Sequence, residues 1–136
     1  MDIFEFLKGD KFAENAGVEL MEVGKGYARA RMRIMPVHLN AGGVCQGGAV
    51  FTLADLAFAA ATNSHARLTF SVSTTINFLR SESSGYLYAE AMEVLDKRKI
   101  TYCKVDVTNE AGELVAVITG TGYRKEVMLP FQPVDA

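Results

Sequence analysis

The chain is poor in the residues that carry several common chemistries. Its 136 residues include two cysteines, Cys45 and Cys103, and two histidines, His38 and His65. Two cysteines this far apart make no disulfide framework and suggest reduced thiols, as in the cytoplasm. No Cys/His grouping has metal-ligand spacing, so no metal is expected. Charge of one sign is also lacking. Fourteen Lys+Arg against sixteen Asp+Glu give a net charge of -2 and a pI near 5.7, with no basic excess for nucleic acid. The opening Met-Asp-Ile-Phe-Glu-Phe-Leu has no basic segment and no long apolar core, so no signal peptide is expected. No apolar run approaches the roughly 20 residues of a membrane span. Internal repeats and low-complexity segments are absent as well. With 49% hydrophobic and 22% charged residues, the chain reads as one ordinary soluble globular domain.

What is present concentrates in residues 38–64. A glycine-rich loop, His38-Leu39-Asn40-Ala41-Gly42-Gly43-Val44-Cys45-Gln46-Gly47-Gly48, runs into a segment rich in Ala and Leu. No Pro or Gly interrupts Ala49 to Ala61, and apolar residues occupy every side, so a buried helix is predicted. Asp55 lies in its middle. Burying a carboxylate without partners costs several kcal/mol, about two turns beyond any N-cap role. A structural ion pair or a polar stripe with Thr52 would explain it; so would a base or nucleophile in a partly dry site.

The helix start offers a second element of chemistry. Gly47 and Gly48 place backbone N–H groups where the macrodipole favours negative charge, which suits a developing oxyanion. At 1.5 Å rise, however, Gly48 and Asp55 are about 10 Å apart. One carbonyl cannot touch both within a subunit. If both serve one reaction, the site combines two subunits and the protein is at least a homodimer.

Around this core the chain reads as strands. Residues 2–15 suggest one short helix or two half-helices, with Ile3, Phe4, Phe6, Leu7 and Phe12 as the packing face. Strands are expected at Val18–Val23 and Tyr27–Ile34, joined by the Gly24-Lys25-Gly26 turn. Arg29, Arg31 and Arg33 alternate with small apolar residues and read as a solvated sheet face. Further strands are expected at Leu68–Leu79, Tyr86–Leu95, Ile100–Thr108 and Glu113–Tyr123. In the first of these, Leu68, Phe70, Val72, Thr74, Ile76 and Phe78 should share one face, with Ser71 on the polar one. Pro36 ends a strand, and the tail with Pro130 and Pro133 should be irregular. One apolar helix among runs of strands fits an α+β fold, a curved antiparallel sheet wrapped around that helix.

The loop and helix together resemble the PaaI-like acyl-CoA thioesterases of the hotdog fold. Their pattern, roughly His-x-Asn-x-x-Gly-x-x-His-Gly-Gly followed by an apolar run with Asp, is matched by His38-Leu39-Asn40, Gly43, Gln46-Gly47-Gly48 and Leu53-Ala54-Asp55. The strand Phe70–Arg80 resembles the family's next strand, and the likeness covers about residues 15–124 of a domain spanning 1–136. The resemblance implies hydrolysis of an acyl-CoA thioester, with CoA as part of the substrate and no cofactor. Asp55 then matches the catalytic carboxylate, Gly47 the backbone N–H that polarises the carbonyl, Asn40 a loop residue that positions the reactants and Ser71 a hydroxyl near the carboxylate. It implies a site shared across a homodimer and pairing of dimers into a homotetramer. Gln46 departs from the family's histidine, replacing a group that can take a proton with an amide that cannot.

Gln46 and Gly48 are candidates for substrate binding beside the carbonyl. Arg80 and the Lys97-Arg98-Lys99 turn are candidates for the CoA phosphates, although a charged turn is also an ordinary solvated feature. Two other functions fit the same fold. A hydratase or dehydratase would need a histidine–carboxylate pair, for which His38 is the one loop histidine. A non-catalytic acyl-CoA-binding protein would need the pocket but not Asp55.

Overall fold

The computed structural model describes residues 1–135; Ala136 lies outside the described residues. Two short helices open the chain, α1 (Ile3–Leu7) and α2 (Lys11–Asn15), each begun by an aspartate. The Asp2 carboxylate accepts from the Glu5 N–H at 2.9 Å and Asp10 from the Ala13 N–H at 3.0 Å, satisfying donors that a helix start leaves free. Ile3 and Ala13 face inward, whereas Phe12, expected to pack, is 76% exposed. A five-residue helix has a single inward stripe, and in α2 Ala13 occupies it.

The strands β1 (Val18–Gly24), β2 (Tyr27–Arg33), β3 (Arg67–Phe78), β4 (Tyr86–Asp96), β5 (Ile100–Thr108) and β6 (Leu114–Met128) form one antiparallel sheet. Their order is β1-β2-β4-β5-β6-β3, which leaves β3 on an edge. The 17-residue helix α3 (Gly47–Asn63) packs against all six strands. This is the α+β hotdog architecture.

Small residues let the sheet close around the helix. Ala28, Ala30, Ala89 and Ala91 on β2 and β4 are fully buried beside Leu53, Ala54 and Ala57 of α3. On β6, a Cβ at Gly120 would stand 2.9 Å from the Phe58 ring of α3. Burying each Leu or Phe in such a layer contributes about 1.5–3 kcal/mol. As expected, Arg29 and Arg31 lie on the other sheet face, pairing with Glu90 at 4.0 Å and Glu19 at 3.3 Å.

Strand β3 departs from strict alternation. Its pairing with β6 slips between Ser71 and Ser73, so Val72 is a bulge. Beyond it, Ile76 and Phe78 oppose the buried Ile118 and Ala116, as the sequence suggested. Before it, Ser71 opposes Gly122, whose missing side chain would meet Thr69, Thr101 and Phe58. One extra residue exchanges the two faces. Ser71 therefore lies on the helix side, while Phe70 and Val72 are 52% and 64% exposed.

Candidate active site

The loop before α3 is built by its own side chains. Asn40 Oδ1 accepts from the N–H groups of Gly42 at 2.9 Å and Val44 at 3.3 Å. The Gln46 N–H donates to the His38 carbonyl at 2.7 Å. His38 itself is buried and fully used. Its Nδ1 accepts from the Met35 N–H at 2.9 Å, which leaves Nε2 to donate to the Ala16 carbonyl at 2.7 Å. The loop histidine thus holds the chain in place and has no free nitrogen for acid–base work.

At the helix start, Gln46 is the N-cap. Its Oε1 accepts from the Gly48 N–H at 2.6 Å, and its carbonyl accepts from Ala49 at 2.9 Å and Val50 at 3.2 Å. Among the first four donors of α3, only the Gly47 N–H has no partner within the described residues. Gly48 is committed to the cap and Gly47 is free. The Gly47 backbone is also tightly approached, since a Cβ there would lie 2.8 Å from the Phe78 ring.

Two turns on, Asp55 is half-buried and makes no hydrogen bond or ion pair among the described residues. Burial, reinforced by the negative charge of Asp10, holds its carboxyl above the usual carboxylate range. It lines a cavity of about 370 Å³ with Ser71, Phe58, Asn63 and Phe70. Asn40, Gly47, Cys45, Phe78 and Arg80 line another, of about 300 Å³, which shares no residue with the first. The structure therefore brings Asp55 to Ser71, and Asn40 to Gly47 and Arg80, but does not bring these two sets together in one chain. Gln46 and Gly48 face a third cavity, of about 550 Å³, with Phe12, Val37 and Thr52.

The basic candidates are dispersed. Arg80 pairs with Glu82 at 3.8 Å and Glu113 at 3.3 Å. The turn of Lys97, Arg98 and Lys99 sits by the opposite end of β3, where Arg67 donates to the Arg98 carbonyl at 3.5 Å. Along the strand the two ends are roughly 40 Å apart. Arg98 also pairs with Glu126 at 3.9 Å, a solvent-exposed contact of little energetic weight. The Cys45 thiol, raised by burial, and Cys103, pushed up to about 12 mainly by burial, are both poorly suited to act as thiolates.

A second polar centre escaped the sequence reading. Beyond α3, His65 Nε2 lies 2.6 Å from Glu93 Oε1, whose other oxygen takes hydrogen bonds from Arg124 at 2.7 Å and Thr101 at 2.5 Å. Arg124 also pairs with Asp96 and donates to the Lys97 carbonyl at 2.8 Å. His65, Glu93 and Asp96 offer ligand atoms within 4.8 Å of one another. The one Arg124 guanidinium pairs with both of their carboxylates, so the chain already supplies a cation there. Burial alone would raise Asp96, but Arg124 outweighs it and holds that carboxyl below its usual range.

The model of the thioesterase superfamily matches residues 42–116, more than half of the chain. The chain belongs to this superfamily. Within it, the acyl-coenzyme A thioesterase PaaI of Escherichia coli is 30% identical over 118 residues, 86% of this chain and 84% of that protein. The solved E. coli PaaI structure superposes with a TM-score of 0.88 at 27% identity, covering 92% of this chain and 91% of its own. An Archaeoglobus fulgidus relative, provisionally named an esterase, is 42% identical over 119 residues, 86% of this chain and 77% of its own. The structure of smu.793 from Streptococcus mutans, bound to acetyl CoA, has a TM-score of 0.76 and 26% identity over 79% of this chain and 88% of its own. This PaaI-like hotdog member of the thioesterase superfamily is a thioester hydrolase. Among the described residues, no helix is long and apolar enough to cross a membrane.

Proposed function

We propose that the protein hydrolyses an acyl-CoA thioester to the free acid and CoA. The observation that carries this reading is Asp55, an unpaired carboxylate in a core helix, facing a cavity. As base or nucleophile, Asp55 delivers water or attacks the carbonyl directly, and its raised proton affinity favours the first role near neutral pH. Ser71, turned to the helix side by the bulge, orients the water. The Gly47 N–H polarises the thioester carbonyl, with the Asn40 amide beside it. Gln46 keeps Gly48 out of that task by capping it. The E. coli relative's name and the acetyl CoA held by the S. mutans relative support the substrate class.

The two sets of residues meet if two copies pair through the β3 edges. Gly47 and Asp55 are eight residues apart on α3, about 12 Å by helical rise, too far for one carbonyl. Antiparallel pairing about the middle of β3 sets the Ser71 end of one copy beside the Phe78 end of the other. The Asp55 cavity then adjoins the Gly47 half-site of the second copy. The same pairing brings Arg80 towards the partner copy's Lys97–Lys99 turn, where CoA phosphates could bridge them. An unpaired 12-residue edge strand with exposed Phe70, Val72 and Phe78 favours such a homodimer, and pairing of dimers gives the expected homotetramer. The two free cysteines suit a reducing cytoplasm.

The test is thiol release from a panel of aromatic and aliphatic acyl-CoA esters, with wild type and Asp55→Asn side by side. Turnover by wild type, reduced about 100-fold or more in the variant, is expected. Near-normal turnover in Asp55→Asn would remove Asp55 from the mechanism. A single turnover in ¹⁸O-water tests the nucleophilic role. A mixed anhydride opened by water at the Asp55 carbonyl leaves label in that carboxyl, whereas water delivered by a base labels only the product acid.

A further inference from the structure

We infer that Asp10 is a positioning residue for the candidate active site, its carboxylate held at the Asp55 cavity so that its negative charge tunes Asp55. The inference rests on Asp55 being the catalytic carboxylate. Asp10 lies in the link between α1 and α2, and both aspartates line the same cavity. Its backbone is fixed on both sides: the N–H donates to the Leu7 carbonyl at 3.0 Å, and the carbonyl accepts from Glu14 at 3.0 Å. One carboxylate oxygen is anchored by the Ala13 N–H at 3.0 Å. The acid is therefore not a mobile surface group.

The cap alone does not require a charge, since Asn and Ser cap a helix about as well as Asp. What only the aspartate supplies is a second negative charge facing a half-buried carboxylate. Like charges in one site disfavour joint ionisation, so Asp55 holds its proton more tightly and is a stronger base once ionised. Asp10 is the charged group that acts on Asp55 in this direction, second to burial itself. Other ionisable groups do not offset it. The remaining lining residues from α1, its following turn, α3 and β3 are uncharged, and α2, β1, β2, β4, β5 and β6 put no charged residue into the cavity. On the apposed half-site of a second copy, the ionisable residues are Cys45, Arg80 and Glu82, the last two paired with each other.

The experiment is a carbon-detected NMR titration of the aspartate carboxyls in the intact protein, with Asp55→Asn assigning the Asp55 resonance. In Asp10→Asn and in Asp10→Ser, which both keep the cap acceptor, the Asp55 midpoint should fall below that of wild type. Asp10→Glu, which keeps the charge, should stay nearer wild type. The acid limb of the kcat/KM profile should move to lower pH in step with the titration. A midpoint unchanged in the neutral variants overturns the inference, since both keep the cap and differ from wild type in the lost charge. The titration needs no turnover. A wild type that releases no thiol would contradict the proposed hydrolysis, while the carboxyl midpoints would still decide the role of Asp10.

Discussion

The two ends of α3 are built on opposite rules. At its C-terminal end the polar side chains of Thr62, Asn63 and Ser64 all have partners. Asn63 bridges to both backbone groups of Thr69, at 2.9 and 3.1 Å, and Ser64 donates to Ala61 at 2.7 Å while accepting from Gly26 at 2.8 Å. His65, Glu93 and Arg124 then tie the helix end to β4 and β6. Towards the N-terminus, Gly47 keeps a free N–H and Asp55 an unpaired carboxylate, each facing its own cavity. One end is satisfied by the fold and holds it together. The other carries unmet hydrogen-bonding capacity that a substrate and a second copy of the chain can meet. Stability and chemistry are thereby separated along one helix.

The contrast can be attacked from either side. The largest effect should come from Arg124→Met at the satisfied end. Arg124 and Glu93 are 5% and 6% exposed, and removing one partner leaves a buried charge uncompensated. A loss of about 3–5 kcal/mol in urea unfolding is expected. Adding Glu93→Gln should recover part of it, and no recovery would contradict the pairing. Asp55→Asn should do the reverse, abolishing most hydrolysis without lowering the Tm. The Asp55 carboxyl is raised by folding, so the folded state binds its proton more tightly than the unfolded one. Its ionisation therefore weakens the fold as pH rises above about 3.9, the ordinary aspartate value. At neutral pH the asparagine variant escapes that penalty, and its Tm should equal or exceed that of wild type. A clearly lower Tm would make Asp55 structural.

The smallest effect concerns Asp96, whose carboxyl is depressed by Arg124. Its stabilising contribution should be complete above about 3.9 and lost as pH falls through the folded value. Because the side chain is 44% exposed, solvent screening keeps the term small. The stability difference between wild type and Asp96→Asn should shrink on acidification; a difference that grows would reverse the assigned sign.

The sequence revealed whatever was local. Composition and the absence of breakers announced α3, the glycines fixed its start, and Asp55 stood out because its neighbours are apolar. The strands appeared within a few residues of their limits, β6 alone running five residues further, to Met128. What it hid depended on distance or on one extra residue. The bulge at Val72 has no compositional mark, so strict alternation put Ser71 on the wrong face. The partners Glu93 and Arg124 are 31 residues apart, and Asp10 is far from Asp55 along the chain, so no spacing rule joins them. Asp10 showed only the ordinary signature of a helix cap, and Gln46 gave no sign that it would occupy the Gly48 N–H.

The central claim, that a working site takes Asp55 from one copy and the Gly47 N–H from another, is best tested with mixed oligomers. Gly47→Pro removes that N–H at the first helical position, where proline is tolerated, although the Phe78 ring must shift. Asp55→Asn and Gly47→Pro should each be nearly inactive alone. After co-refolding in equal amounts, half of the dimers pair one of each, and one of their two sites is intact. The account predicts recovery to about a quarter of wild-type thiol release. Release no greater than the sum of the separate variants, in samples shown to contain mixed dimers, would contradict it.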